Sequence, residues 1–598
     1  MAENEMENKG FTRRTFLKAG TVAGAAAIAS GALAACAPAK TREGGDSGGQ
    51  AAAPAAEDEH IGAGRRATAT LANAEPIPPI DPPASWDAEA DIIIVGAGGG
   101  GINGALVARD AGASVIVVEK QDIAGGATAH ANGYLNISGT GKAQKEMEFG
   151  YPAGNFPLDM KKFMAEMQNQ FQYSIDNRLI EALANKGGEV ADWMTEKGAE
   201  WLCIGPFYVS TSGLENSVQG MRQLTDQFWK LGEEAGAEYH LNTECKGLVY
   251  DGERVVGIQV QDDQDQIKFY KANKAVVLCA GGFGMNPDLI KKYIPTAYER
   301  IVYGGPFPAH TGDALRMALG LGADIAGFDS WSCWECAPDN GTGDWNYFYG
   351  FRQIMQMPWL NFDCEGKRAD FYDDRLPGMP PYVGGLGDTL RVAVQMSRPR
   401  GRVYAIFDSD YEKNFDKIKA DMGERKPITP EDGVRDTGGL FDTDWHVEWD
   451  KALEDGRLKK ADTLEELAEM LDLDPDIVND VVTRWNDNCK KGKDDDPDIL
   501  YPYLPEWLNP IQKAPFYGAA LGGQLGKTLA GVRVNHKLQV MKDDGHKIPG
   551  LYAGFTTAGG VVGETNYGGG LVNTSLLGGC ALSWTSGYYA VQCALEEE

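Results

Sequence analysis

The 598-residue sequence lacks features that are typical of haem-bearing, nucleic-acid-binding and metal-binding chains. No Cys-x-x-Cys-His motif occurs, so the chain carries no c-type haem of its own. Its 56 lysines and arginines stand against 86 aspartates and glutamates, and the net charge of −30 argues against nucleic acid and against adhesion to anionic lipid. A complete set of four metal ligands is not evident among the ten scattered cysteines. The pair Cys333 and Cys336, with Cys364 nearby, could ligate a metal or serve as small buried hydrophobic side chains.

Residues 1–36 predict an export signal. Thr12–Lys18 (TRRTFLK) is close to a twin-arginine motif, and a run of Ala and Gly follows that is too short for a transmembrane helix. The run ends in LAAC, which is typical of a lipobox with Cys36 as the lipidated residue; the alternative is an Ala-x-Ala signal-peptidase site. We expect export by the twin-arginine route to the periplasm or the outer face of the cytoplasmic membrane, with attachment through Cys36.

The Ala-, Gly- and Pro-rich residues 37–87 predict a disordered tether, because such a composition cannot bury enough apolar surface to fold. The remainder of the chain is long enough for two or more domains, with pieces of one possibly interleaved in another.

The segment Asp91–Glu119 has the pattern of a dinucleotide site. An apolar run leads into GAGGGG, then an alanine-rich helical segment, then a second apolar run that ends in an acid. Gly96 permits a tight turn, Gly98 lets backbone amides approach a pyrophosphate, and Gly101 lets the helix pack closely on the strand. The helix N-terminus then faces the phosphates, and Glu119 can accept hydrogen bonds from a ribose.

Further motifs follow in a fixed order. They are Gly125-Gly126, VLCAGGF at 277–283, TGD at 311–313, DCEGKR at 363–368, and PGLYAG through GGG at 549–570. Together with the dinucleotide unit, they resemble the fumarate reductase and succinate dehydrogenase flavoprotein superfamily, in its soluble flavocytochrome c and ketosteroid dehydrogenase branch. The resemblance covers residues 88–595.

The resemblance implies an α/β fold with a Rossmann-like FAD-binding domain in two sequence pieces, 88–294 and 511–598. An inserted α+β capping domain would span 295–510, with the substrate between cap and isoalloxazine ring. It also implies non-covalent FAD, since His130 lies three residues from the position that forms a histidyl bond in other members. The residues expected to bind FAD are Gly96, Gly98, Gly101, Glu119, Lys120, Gly125, Gly126, Ala127, Thr128, Gly133, Gly281, Gly282, Gly312, Asp313, Thr556, Gly569, Leu571 and Val572.

The chain departs from the family at the dicarboxylate clamp. The carboxylate-binding Arg corresponds to Asn566, and a clamp His corresponds to Lys527. Two carboxylates removed from water require charge-assisted donors, so fumarate is not the expected substrate. The inserted domain is rich in aromatic residues, which either line a neutral pocket or form the core of the cap. They are Trp331, Trp334, Trp345, Tyr347, Phe348 and Tyr349.

The proton donor of fumarate reductases is an Arg beyond the Gly-Lys-Arg motif, and this sequence offers Arg375 and Arg391. Arg391 has the better spacing, whereas Arg375 lies beside acids that favour a surface salt bridge. Because Arg is a poor acid, another proton donor, such as Tyr567, is an alternative. The candidate catalytic residues are Arg391, Tyr567, Asn566, Lys527 and Arg375.

The sequence therefore predicts an exported FAD-dependent oxidoreductase that reduces an activated C=C bond of a neutral enone, steroid-like or aromatic molecule. Electrons would come from a separate membrane or haem donor. The alternative is a ketosteroid-type dehydrogenase that introduces a C=C bond. A fumarate reductase and a non-catalytic flavin-binding lipoprotein are less expected.

Overall fold

The structure, a computed structural model, describes residues 73–131, 134–136, 176–204, 207–210, 221–303, 309–338, 359–369, 401–414, 417, 446–499, 502–561 and 579–597. All of them belong to one compact unit, residues 58–598. The predicted signal and the lipidation residue Cys36 lie outside the described residues. None of the helices in these ranges is long and apolar enough to cross a lipid bilayer.

The strands are β1 Ala88–Val95, β2 Val115–Val118, β3 Tyr134–Asn136, β4 Trp201–Ile204, β5 Phe207–Ser210, β6 Glu238–His240, β7 Glu244–Tyr250, β8 Val255–Gln261, β9 Ile267–Leu278, β10 Ile301–Tyr303, β11 Ile325–Ala326, β12 Trp331–Pro338, β13 Leu360–Phe362, β14 Val403–Phe407, β15 Lys459–Ala461, β16 Phe516–Thr528, β17 Gly531–Val532, β18 Gln539–Met541 and β19 Lys547–Ala553. The α-helices are Gly99–Asp110, Asn177–Glu196, Met221–Glu234, Pro287–Tyr293, Pro295–Arg300, Asp313–Gly320, His446–Glu454, Leu464–Met470, Pro475–Lys491 and Gly579–Leu595.

The first sheet has eight strands in the order β18-β19-β9-β1-β2-β6, and the hairpin β7-β8 joins it through β8. Its centre is parallel: Ile94 lies between Val117 of β2 and Val277 of β9. The paired segments Ile92–Val95 of β1 and Val115–Val118 of β2 are β-branched and buried, as expected for a parallel sheet covered on both faces. The carboxyl ends of β1, β2, β9 and β19 meet at one edge, which is where such sheets bind nucleotides.

The first sheet draws on two distant parts of the sequence. Strand β19 pairs in parallel with β9, with Leu551 opposite Val276. The final helix, Gly579–Leu595, packs into the same core through Leu582 and Trp584. These contacts confirm the expected α/β fold, whereas the domain boundaries at 295 and 510 stay a prediction.

The second sheet has six strands and is organised by the 13-residue strand β16. Strands β12, β14 and β15 pair with β16 antiparallel, and β10 pairs with it in parallel. Early residues of β16, Ala519 and Leu521, lie in a second hydrophobic core. Leu525, further along, lies in the first core, and so does Leu529 just after the strand. One strand therefore connects the two cores.

The last part of the predicted tether packs against the fold. The Ile80 N–H donates to the Leu248 carbonyl at 2.9 Å, and the Tyr250 N–H donates to the Ile80 carbonyl at the same distance. This corrects the prediction of a tether over 37–87 for residues 73–87. Ile77 packs against the first core, the side chains of Ile80 and Trp86 lie against Gly247 and Gly257, and Ile80 forms a parallel bridge with Val249 of β7.

A buried ion pair lies in the second core. Both side chains, Arg368 and Asp494, are fully buried, and the two guanidinium–carboxylate distances are 2.6 and 3.0 Å. The guanidinium carbon lies 4.7 Å from the Trp485 ring centroid and 4.8 Å from that of Tyr503. The last residue of the DCEGKR motif therefore has a structural role in this core.

We expect Arg368→Met to lower the free energy of unfolding by about 3–5 kcal/mol, because Asp494 is then left buried without its counter-ion. Urea unfolding followed by tryptophan fluorescence would measure the loss. Arg178→Met, at a largely exposed pair, is the matched control and is expected to change stability by less than about 0.5 kcal/mol. Equal effects of the two substitutions would contradict the assigned role of Arg368.

Candidate nucleotide site and its surroundings

The glycine turn after β1 has the geometry that its sequence predicts. Gly96 has a φ of +101°, and a methyl group there would lie 2.5 Å from the Cys279 carbonyl oxygen. A methyl group on Gly101 would overlap the Gly96 carbonyl oxygen. At Gly98, by contrast, it would meet no heavy atom within 4 Å. Backbone is therefore packed against backbone on two sides of the turn, while open space faces Gly98, as a pyrophosphate requires.

A second loop lies beside this turn. The Gly125 N–H donates to the Ala97 carbonyl at 2.7 Å, and Thr128 Oγ1 accepts from the Gly99 N–H at 3.2 Å. Both Gly125 and Gly126 have positive φ, 122° and 51°, which favours glycine. Ala127 follows in the short 3₁₀ helix Gly126–His130, and His130 is exposed. The structure thus brings the predicted Gly125–Thr128 segment against the glycine turn.

Glu119 holds the glycine turn in place. Its carboxylate accepts from the Ala97 N–H at 2.8 Å and from the Gln121 N–H at 3.0 Å. Burial raises the pKa of Glu119, although these two amides oppose the shift. The side chain therefore fixes the loop backbone, and its predicted contact with a ribose stays a prediction.

The predicted residues Lys120 and Asp313 contact each other. Lys120 Nζ donates to Asp313 Oδ2 at 2.8 Å and to Thr311 Oγ1 at 2.6 Å. The Thr311 hydroxyl also donates to Asp313 Oδ2, at 2.6 Å. Burial alone would raise the pKa of Asp313, but Lys120 and Thr311 outweigh it and the pKa is lowered. Gly312, with a φ of +79°, precedes the helix that begins at Asp313. This network links the TGD motif to the end of β2.

The turn after β9 meets threonines from two other segments. Thr557 Oγ1 donates to the Gly281 carbonyl at 3.0 Å. A methyl group on Gly282 would overlap Thr528 Oγ1 and would lie 3.5 Å from Thr556 Oγ1. Thr528 Oγ1 is buried and has no hydrogen-bond partner in the described part of the chain. Polar groups therefore converge on Gly282 at the carboxyl edge of the first sheet.

Sequence reasoning missed His310. A methyl group on Gly281, which has a φ of +77°, would overlap the His310 imidazole. Burial, together with the charge on Lys120, lowers the pKa of His310 to about 4, so the ring is neutral at physiological pH. Its position directly before the TGD motif was the available signal.

Sequence reasoning also missed that the final helix packs against the first glycine turn and so borders the candidate nucleotide site. Ser583 Oγ accepts from the Gly100 N–H at 3.2 Å. A methyl group on Gly587 would overlap the backbone of Gly100. Trp584 lies against Gly99, and its Nε1 has no hydrogen-bond acceptor among the described residues. The small residues at 583 and 587 lie one helical turn apart on one face, and this spacing was the available signal.

Of the candidate catalytic residues, only Lys527 falls within the described ranges. It is half-buried near the end of β16, opposite Ser332 of β12. Other predicted site residues lie outside the described residues: Gly133, Arg375, Arg391, Asn566, Tyr567, Gly569, Leu571 and Val572.

Among the aromatic residues expected in the predicted cap, the structure describes the side chain of Trp331 only. Trp331 is only 1% exposed, lies in the first core and donates from Nε1 to Thr296 Oγ1 at 3.1 Å. It is therefore a core residue. The side chains of Cys333, Trp334 and Cys336, and the whole of Trp345–Tyr349, lie outside the described structure.

We expect Gly98→Ala to leave folding intact but to weaken FAD binding, because the methyl group fills the space that faces the turn. Gly101→Ala should instead destabilise the fold, because its methyl group overlaps the Gly96 carbonyl oxygen. The ratio of bound flavin to protein, from visible absorbance, measures FAD binding. Thermal unfolding of the apoproteins measures the stability of the fold. If Gly98→Ala retained FAD at the wild-type ratio, the nucleotide would not lie over Gly98.

Comparisons with known proteins agree with this geometry. Residues 91–572 match the family described as "FAD binding domain". Urocanate reductase of Eggerthella lenta is 25% identical over 492 residues, 81% of this chain and 72% of that protein. Digoxin reductase of the same organism is 26% identical over 619 residues, 95% of this chain and 96% of that protein.

A solved structure supports the fold alone. It is that of 3-ketosteroid delta1-dehydrogenase from Sterolibacterium denitrificans, with a TM-score of 0.61 at 18% identity, over 85% of this chain and 100% of that one. The geometry of the glycine turn, the packing of the final helix against it and the family match all indicate an FAD-binding domain. The chain therefore belongs to this FAD binding domain family, within the fumarate reductase and succinate dehydrogenase flavoprotein superfamily, and is an FAD-dependent oxidoreductase.

Proposed function

We propose that this protein reduces a C=C bond conjugated to a carbonyl group in a small molecule. When bound, FAD supplies a hydride equivalent to carbon. Two of its relatives carry the names urocanate reductase and digoxin reductase. The match with the second covers 96% of that relative's length. Reduction of an activated C=C bond is the chemistry that suits both the cofactor and these relatives.

The observation that carries the proposal is the convergence of polar groups where the two cores meet. Thr528, Thr556 and Gly282 lie together at the carboxyl edge of the first sheet, and Lys527 directly precedes Thr528. A ligand at this edge would have the nucleotide on one side and the second sheet on the other. Small-molecule sites commonly occupy such places.

Within this proposal, the substrate is neutral and largely apolar. Asn566 stands where the family has its carboxylate-binding Arg, and Lys527 stands where the family has a clamp His. A dicarboxylate would need donors for two charges. Asn566 and Tyr567 are instead suited to polarise a carbonyl oxygen, on which charge develops as hydride reaches the β-carbon.

We further propose that the protein is exported by its twin-arginine segment and attached to the membrane through lipidated Cys36. The electron donor would then be a separate membrane or haem protein, because the chain has no c-type haem motif.

The test is anaerobic reoxidation of the dithionite-reduced flavin, followed by visible absorbance, with fumarate beside a panel of neutral enones. We expect reoxidation by at least one enone, and buffer alone is the control. Reoxidation by fumarate alone would overturn the neutral substrate class. Reduction of the oxidised flavin by a saturated 3-ketosteroid, without enone turnover, would favour the dehydrogenase alternative.

We expect Asn566→Arg to lower the turnover of a neutral enone by about tenfold or more. An unpaired guanidinium in the pocket costs several kcal/mol, and about 1.4 kcal/mol is a factor of ten. Asn566→Gln, which keeps the amide, is the matched control and should retain most activity. Unchanged kinetics of the Arg variant would place residue 566 outside the pocket.

A further inference from the structure

Lys527 occupies an unusual position for a lysine. It lies in β16 between Leu525 and Leu529, which are both buried in the first core. Its neighbour Thr528 packs against Gly282, at the edge where the nucleotide turn also lies. The backbone of Lys527 therefore lies next to the edge at which we propose that the substrate binds.

The ammonium group of Lys527 has no counter-ion in the described structure. No carboxylate oxygen of the described residues lies within 4 Å of its Nζ, and no hydrogen bond to Nζ forms among them. Lys120 differs in this respect: it is also partly buried, but its Nζ lies 2.8 Å from the Asp313 carboxylate. The charged form of Lys527 is thus partly removed from water, and no described residue compensates it with an opposite charge.

A described titratable group that acts on Lys527, the Cys580 thiol, does not supply that compensation. Cys580, at the start of the final helix, is the described group whose charge would influence the lysine. Burial raises the pKa of the Cys580 thiol to about 11, so the thiol is neutral at physiological pH. Burial lowers the pKa of Lys527 to about 8, and a thiolate at Cys580 would oppose this shift.

We propose that Lys527 is a catalytic residue that donates the proton to the substrate carbon adjacent to the one that receives hydride. An N–H bond of the ammonium breaks and a C–H bond forms, while reduced FAD provides the two electrons with the hydride. Lysine is left as a neutral amine, and water reprotonates it. This inference rests on the proposed C=C reduction.

Lysine suits this role better than the arginines that the sequence offers. A guanidinium does not release its proton near neutral pH, so Arg375 or Arg391 would need a relay. An acid whose pKa lies near the working pH transfers protons most effectively. The rival role for Lys527 is a fixed positive charge that binds an anionic group of the substrate, as the clamp histidine of the family does.

Two substitutions separate these roles. Lys527→Met removes both charge and proton, whereas Lys527→Arg keeps the charge but cannot give up the proton. We expect both variants to lose about a hundredfold or more in the rate of flavin reoxidation by an enone, the usual size of a general-acid contribution. In the wild type, this rate should be constant at low pH and fall as pH rises through about 8, because only the protonated amine is a donor.

Three further measurements exclude a merely structural role. The dissociation constant of the enone, from perturbation of the visible flavin spectrum, should change less than about threefold, since a proton donor contributes to the transition state rather than to ground-state binding. Thermal stability should not fall in Lys527→Met, because the substitution removes an unpaired buried charge. Lys230→Met, at an exposed lysine, is the control and should match the wild type throughout.

The outcomes are distinct. Activity retained in Lys527→Arg but lost in Lys527→Met, with weaker binding in the Met variant, would make Lys527 an anion clamp and overturn the proposal. Full activity in both variants would also overturn it while leaving the proposed reduction intact. If the wild type itself were reoxidised by no enone, the proposed function would fail, and the role of Lys527 with it.

Discussion

The site depends on the close approach of main chain to main chain around the first glycine turn. Gly101 packs against the Gly96 carbonyl oxygen, and Gly100 packs against Gly587 of the final helix. A side chain at Gly100, Gly101 or Gly587 would clash with backbone, so a helix or a strand would have to move rather than a neighbouring side chain. These contacts fix the positions of three elements around the space that faces Gly98. The elements are strand β1, the helix that follows it and the final helix.

Side chains around this contact mainly fix the backbone. Glu119 and Thr128 accept from amides of the first turn, and Ser583 does so from the final helix. Lys120 is held by an ion pair with Asp313. The candidate nucleotide site is consequently a surface of oriented amides and open space, supported by hydrogen-bonding side chains. We propose that the chemistry at the substrate takes place at the junction of the two cores, near Lys527.

The sequence predicted those parts of the molecule whose cause is local. The strand at 115–118, the helix Gly99–Asp110 and the turn at Gly96–Gly101 follow from apolar patterning and glycine spacing within short windows. Partners that are remote in sequence were not predictable: Lys120 pairs with a residue 193 positions away, and Arg368 with one 126 positions away. Nor could composition show that residues 73–87 add to a strand, since main-chain hydrogen bonds leave little trace in side-chain pattern.

The contact between Gly100 and Ser583 joins residues 483 positions apart. At about 5–20 residues per second, a ribosome needs roughly half a minute to a minute and a half to make the intervening chain. During that interval the first glycine turn exists without its facing helix. The nascent chain therefore exposes the backbone of the first turn on the side that the final helix later covers, and the finished wall exists only after residues 579–597 have been made.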